Sequence, residues 1–122
     1  MRFSTDHEYV VVSGDVATIG ISDHAQHQLG DIVYVELPEV GATFDKGAAV
    51  AVVESVKAAS DVFCPISGEV VEVNTALPDQ PAVINEDAQG RGWMFKLKIA
   101  DAKEIDKLMD EAAYAEYLKT VA

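Results

Sequence analysis

The sequence has 122 residues, 49% of them hydrophobic and 25% charged, which suits one packed domain over 1–122 and excludes a disordered chain. Lys and Arg total 9 against 21 Asp and Glu, so the net charge is −12, and a nucleic-acid backbone or an anionic membrane is excluded as the main partner because both repel acid. A single cysteine, Cys64, cannot close an intrachain disulfide and suits a reducing compartment.

In chain order, His7–Val12 and Val16–Ile21 read as two strands of a hairpin, joined through Ser13-Gly14-Asp15. Ser22 is placed to cap a short helix over Asp23–Leu29, and Gly30 stands where a left-handed C-terminal residue belongs. Asp31–Leu37 returns to strand with Ile32, Val33 and Val35 as β-branched residues, and Pro38 ends it. A weak repeat follows. Pro38-x-x-Gly41 leads into the apolar run Ala48–Val53, and Pro65-x-x-Gly68 leads into Val70–Val73. The two matches predict a duplicated β unit with a hairpin between its halves. Pro78, Pro81 and Gly90 mark a loop. Beyond it, Trp93, Phe95, Leu97 and Ile99 alternate with Met94, Lys96 and Lys98, which predicts a strand with one buried face. The period then becomes helical over about 101–120. Asp101 and Glu104 form a capping-box pattern, Ile105, Leu108, Met109 and Ala112 share one face, and Tyr114, Tyr117, Leu118 and Val121 share another. Two short C-terminal helices on a β core are expected. No apolar run is long enough to span a bilayer, and Met1–Glu8 carries neither a signal segment nor a transit pattern. The expected address is the cytosol of a bacterium, although a processed organelle protein reads the same.

Residues able to do chemistry are few. His24 and His27 lie one turn apart beside Asp23, but no convergent thiol or third ligand accompanies them, so they read as a polar helix face. Cys64 has no local base or helix N-terminus to stabilise a thiolate. Nucleophilic-serine motifs and phosphate loops are absent, and Gly90-Arg91-Gly92 reads as a turn. The carboxylates are scattered. Lys57 stands apart: it lies between two β runs, its neighbours Ser55, Ala58, Ala59 and Ser60 are small, and Glu54 and Asp61 flank the segment. A lysine at a hairpin tip suits covalent attachment, because the base is rigid while four flexible carbons extend the reach.

Glu54-Ser55-Val56-Lys57-Ala58-x-Ser60-Asp61 resembles the lipoylation motif of the glycine cleavage system H protein family. The resemblance runs along nearly the whole chain: Val16–Ile21, Asp23–Gln26, Leu29–Pro38, Pro65–Asn74, Gly92-Trp93 and the C-terminal segment all take part. Two stretches depart from it. His7-Glu8-Tyr9 stands where that family commonly has His-Glu-Trp, and Asp87-Ala88-Gln89-Gly90 replaces a stretch containing Pro-Tyr.

The resemblance implies a mainly β fold, a flattened β-barrel or sandwich of the biotinyl/lipoyl-carrier type (a barrel-sandwich hybrid), with a short internal helix and C-terminal helices. It implies lipoate in amide linkage to Lys57, attached by a lipoate ligase or lipoyl transferase that reads Glu54, Ser55, Val56 and Ala58. A monomeric, non-catalytic carrier would then take an aminomethyl group from a glycine decarboxylase to an aminomethyltransferase and be reoxidised by a dihydrolipoyl dehydrogenase. Glu8 and Asp61 are expected to line an acidic cleft for the loaded arm, whose terminal amine is cationic. Other swinging-arm carriers compete with this reading. Biotin carriers typically place Met on both sides of the lysine, where Val56 and Ala58 stand here, and acyltransferase lipoyl domains usually place Asp before it. A lipoate donor or relay without glycine chemistry would carry the same attachment site.

Overall fold

The computed structural model describes residues 1–121; Ala122 and the side chain of Val121, which helical spacing puts on one face with Tyr114, lie outside the described residues. β1 (Arg2–Phe3), which the sequence did not suggest, pairs antiparallel with β2 (Glu8–Ser13). β2 turns through Gly14, at φ 65°, into β3 (Val16–Ile21), with Ser13 opposite Val16. A side chain at Gly14 would have room but would strain the backbone. Gly20 is required for the opposite reason, since a β-carbon there would stand 2.8 Å from the Tyr9 ring. The Tyr9 hydroxyl donates to the Ala88 carbonyl at 3.0 Å, so the two stretches that depart from the family pattern touch one another.

α1 (Asp23–Leu29) forms as expected: Ser22 Oγ accepts from Ala25 N at 3.2 Å and Gly30 follows at φ 83°. β4 (Ile32–Glu36) bulges at Val33 and ends before Pro38. β5 (Thr43–Phe44), β6 (Ala49–Ser55), β7 (Ala59–Phe63) and β8 (Gly68–Val73) come next. The segment expected as a loop holds α2 (Val83–Asp87), and β9 (Phe95–Ile99), α3 (Lys103–Asp106) and α4 (Glu111–Val121) complete the chain.

All pairings are antiparallel, in a six-stranded sheet ordered β1-β2-β3-β9-β8-β5 and a three-stranded sheet ordered β4-β6-β7; neither closes on itself. One apolar cluster joins them. Ile19, Val70, Phe95 and Leu97 enter it from the large sheet, Val35, Val53 and Val62 from the small one, and Leu77 and Ile84 from the segment around α2. Each such side chain contributes about 1.5–3 kcal/mol by leaving water. The weak repeat has a structural meaning. Gly41 N donates to Val70 O at 2.7 Å and Val70 N to Ala42 O at 2.8 Å, so the two Pro-x-x-Gly runs pair with each other while the β6–β7 hairpin projects between them.

Two local expectations are corrected. The alternation at β9 starts later: Met94 is fully buried and Trp93 only half so, its ring covered by Lys96 with Nζ 5.0 Å from the centroid. The capping box does not form. Asp101 Oδ1 accepts from Lys103 N, but the Glu104 carboxylate accepts from Ser67 N at 2.7 Å and Ser67 Oγ at 3.0 Å. It tethers the β7–β8 connection instead of its own helix. Leu108 and Met109 lie between the helices, where Met109 and Phe3 exchange two backbone hydrogen bonds. α4 is fixed by aromatic packing, with the rings of Phe3 and Tyr114 stacked at 4.2 Å.

Candidate functional site

The β6–β7 hairpin turns through Ser55-Val56-Lys57-Ala58, and one hydroxyl organises the turn. Ser55 Oγ accepts from Lys57 N at 3.2 Å and Ala58 N at 3.1 Å, and Ser55 N donates to Ala58 O at 2.7 Å. The hydroxyl thus holds two amides that the strand ladder leaves free. Val56 N reaches out of the hairpin to Asp31 O at 3.1 Å, tying the tip to the corner between α1 and β4. Lys57 is exposed, and its stem lies over Gly30: a β-carbon at that glycine would come within 2.9 Å of Lys57 Cε. Gly30 is needed for its backbone angle, and the space it leaves is where the flexible lysine stem rests. Val56 is 68% exposed beside the lysine. Glu54, half-buried, stands opposite Ala59 and Tyr34 and makes no ion pair among the described residues.

Beside the hairpin lies a cleft of about 290 Å³. Its apolar wall comes from Ile21, Ala25 and Leu29 on one side and Val53 and Val62 on the other; Asp6, Glu8 and Asp61 supply carboxyl groups. Glu8 at the start of β2 and Asp61 in β7 are therefore brought into one cavity.

The two carboxyl groups differ. Asp61 is exposed, whereas Glu8 is only 2% exposed. Burial pushes the Glu8 carboxyl up to about 7, and Asp6 adds to the rise; the Ser4 hydroxyl, donating to Oε1 at 2.6 Å, and the Phe63 backbone oppose it. Ser4 also accepts from Glu8 N at 3.1 Å, so the Ser4–Glu8 loop closes on this one side chain. His7 takes a left-handed φ of 67° within that loop, and its Nδ1 lies 2.7 Å from the Tyr114 hydroxyl, itself 2.8 Å from Ser22 Oγ. Burial and the His24 ring, 4.9 Å away between centroids, push the His7 imidazole below its ordinary range, against the pull of Asp6. This network joins the cleft rim to the cap of α1 and to α4.

One contributor escapes sequence reasoning. Asn85 of α2 accepts from Ile32 N at 2.8 Å and donates to Gly30 O at 2.9 Å and Gln26 Oε1 at 3.0 Å. It underpins the corner on which the Lys57 tip rests. The only sequence signal is an amide side chain between Ile84 and Glu86, four residues after Pro81, which is not specific.

The remaining candidates fall away. Among the described residues no group of three or more His, Cys, Asp or Glu is placed to hold a metal ion. Cys64 is 1% exposed and its thiol is pushed up to about 12, first by burial and then by Glu8 and Glu104, so it is no nucleophile at neutral pH. No helix of the described residues is long and apolar enough to cross a membrane.

The family model for the glycine cleavage H-protein matches residues 1–121. The glycine cleavage system H protein of Beijerinckia indica is 58% identical over 120 residues, covering 98% of this chain and 97% of that protein. That of Xanthobacter autotrophicus is 57% identical over 122 residues, covering 100% and 98% respectively. The crystal structure of a glycine cleavage system H protein from Mycobacterium marinum aligns with a TM-score of 0.84 at 37% identity, over 98% of this chain and 94% of that one.

Proposed function

Because the chain belongs to the glycine cleavage H-protein family, a family of lipoyl carriers with the barrel-sandwich fold, we propose that Lys57 bears lipoate in amide linkage and that the cleft beside it receives the loaded arm. The observation that carries the reading is the lysine's position: an exposed amine on a turn braced by Ser55, next to a cavity with apolar walls and acidic groups at its edge. The donor set fits the group. An apolar chain ending in sulfur suits Ile21, Leu29 and Val53, and a primary amine forms the linkage. When bound, lipoate supplies a disulfide that takes an aminomethyl group at a glycine decarboxylase, yields it at an aminomethyltransferase and is restored by a dihydrolipoyl dehydrogenase.

The chain's own residues position and shelter, and the enzymes do the chemistry. Lys57 gives reach. Ser55, Val56 and Ala58 present the amine without crowding, and with Glu54 they form what a lipoate ligase or lipoyl transferase reads. Glu8 accepts a cationic amine at the cleft floor, Asp61 does so from the rim, and the apolar walls keep water from the cargo. The buried, unpaired thiol suits a reducing cytosol.

Incubating the chain with a lipoate ligase, then measuring intact mass and mapping the modified peptide, tests the attachment. Glycine-dependent exchange of carbon dioxide with the decarboxylase tests the carrier role and separates it from a lipoate relay. Glu54→Ala is expected to slow attachment and to move the melting temperature by no more than about 2 °C, since this side chain makes no ion pair among the described residues. A large loss of stability with unchanged attachment would reverse that assignment. In Glu8→Ala and Asp61→Ala the loaded carrier is expected to lose its cargo to hydrolysis faster than the parent. Unchanged release in both would remove the cleft from the mechanism and leave the attachment site standing.

A further inference from the structure

We propose that Asn85 is a positioning residue for the Lys57 arm, acting through the corner Gly30-Asp31-Ile32. Its one amide group joins three parts of the chain: the Gly30 carbonyl just past α1, the Ile32 amide at the start of β4, and the Gln26 side chain on α1. The same corner carries the hairpin tip. Asp31 O accepts from Val56 N at 3.1 Å, Ile32 pairs with Ser55, and Lys57 Cε lies in the space that Gly30 leaves open. The tip is thus held from α2 through a single backbone segment.

That segment has little support of its own. α1 has seven residues, too few to keep its last turn without tertiary help. Removing Asn85 leaves the Gly30 carbonyl and the Ile32 amide without their partner, and the corner frays together with the tip it holds. Direction is at stake as well as order. Ala25 and Leu29 of α1 form a wall of the cleft, so a stem lying over Gly30 leads the arm onto that wall. An ordered tip also spares an enzyme acting on Lys57 the entropic cost of ordering it, which places the effect of its loss in KM and not in kcat.

The proposal rests on Lys57 being the attachment point, but its first test does not. Backbone ¹⁵N relaxation is measured on the full unmodified chain for the parent, Asn85→Ala, Asn85→Asp and Val70→Ala. The aspartate variant sets an oxygen against the Gly30 carbonyl in nearly the same volume. Val70→Ala lowers stability by emptying part of the core in β8, away from the corner. In the parent, Val56–Ala58 are expected at order parameters of about 0.85, and in both Asn85 variants residues 30–32 and 55–58 alone are expected below about 0.6. The KM of a lipoate ligase for both Asn85 variants is expected to rise about tenfold with kcat unchanged. Val70→Ala is expected to match the parent in both readouts. If Asn85→Ala does not fold, Asn85→Asp decides by the same criteria. Tip amides as ordered in the Asn85 variants as in the parent, or equally loosened by Val70→Ala, overturn the proposal. A parent chain that takes no lipoate at Lys57 overturns the attachment reading instead, and the relaxation result still decides on the clamp.

Discussion

Lys57→Arg is expected to abolish lipoate attachment completely while the chain stays as stable as the parent. The guanidinium keeps the positive charge but offers no primary amine to acylate. The fold should not register the change. Lys57 is exposed, the turn is held by backbone bonds and the Ser55 hydroxyl, and an arginine stem can lie over Gly30 as the lysine does. Exposed substitutions of this kind stay within about 0.5 kcal/mol. Intact mass after exposure to a ligase, with thermal melting alongside, reads both halves. Lipoate found on the variant refutes the site, and a collapse in melting temperature refutes the claim that the lysine is structurally idle.

The second large effect is an increase in stability. Glu8→Gln is expected to stabilise the chain at pH 8 by about 3 kcal/mol, roughly 10 °C in melting temperature, and to have almost no effect at pH 4.5. Burial raises the Glu8 carboxyl from the ordinary 4.5 to about 7, so the folded chain holds a proton that the unfolded chain has released. The associated stability is complete below pH 4.5 and is lost as pH rises through 7. A glutamine keeps an oxygen for the Ser4 hydroxyl and never ionises. Denaturant titrations of both proteins across this range give the difference directly, and parallel curves would contradict the burial argument. The same energetics would make a cleft that receives the arm selective. With its pKa raised to about 7 the Glu8 carboxyl is close to evenly divided between its two forms at neutral pH, so a cation in contact with the carboxylate, worth about 4 kcal/mol at an effective dielectric near 20, tips it to the ionised form. Glu8 would therefore suit a neutral arm when protonated and a cationic one when ionised.

The strands that set the scaffold were legible because their signals are local. Alternation in β2 and β3, the glycine between them and the Ser22 cap all act within a few residues. Lys57 stood out for the same reason, since the small residues that free it are its chain neighbours. Failures came where a side chain serves a distant partner. Glu104 has the spacing to cap its own helix, yet a buried loop at Ser67 competes for it and wins with two hydrogen bonds. α2 has only five residues between turn signals, too short for a period to show, and the importance of Asn85 exists only through Gly30 and Ile32. The pairing of Glu8 with Asp61 in one cavity came from resemblance to a family, and no spacing in the chain implies it. Nor does composition distinguish the buried Glu8 from the other acidic residues, because its burial depends on how the Ser4–Glu8 loop folds over the end of β2.

A hairpin whose tip is exposed to solvent is also exposed to other copies of the chain. The small sheet has two open edges, β4 and β7, and unpaired edges are templates for added strands. The bulge at Val33 interrupts the regular row of donors and acceptors on β4, and Asp61 sets an exposed acidic side chain within β7. The edges of the large sheet, β1 and β5, are two residues long. Stacking chains would also press together molecules that each carry a net charge of −12. The irregular strand and the acidic surface thus guard against fibre growth, letting the molecule keep its working tip bare even when crowded.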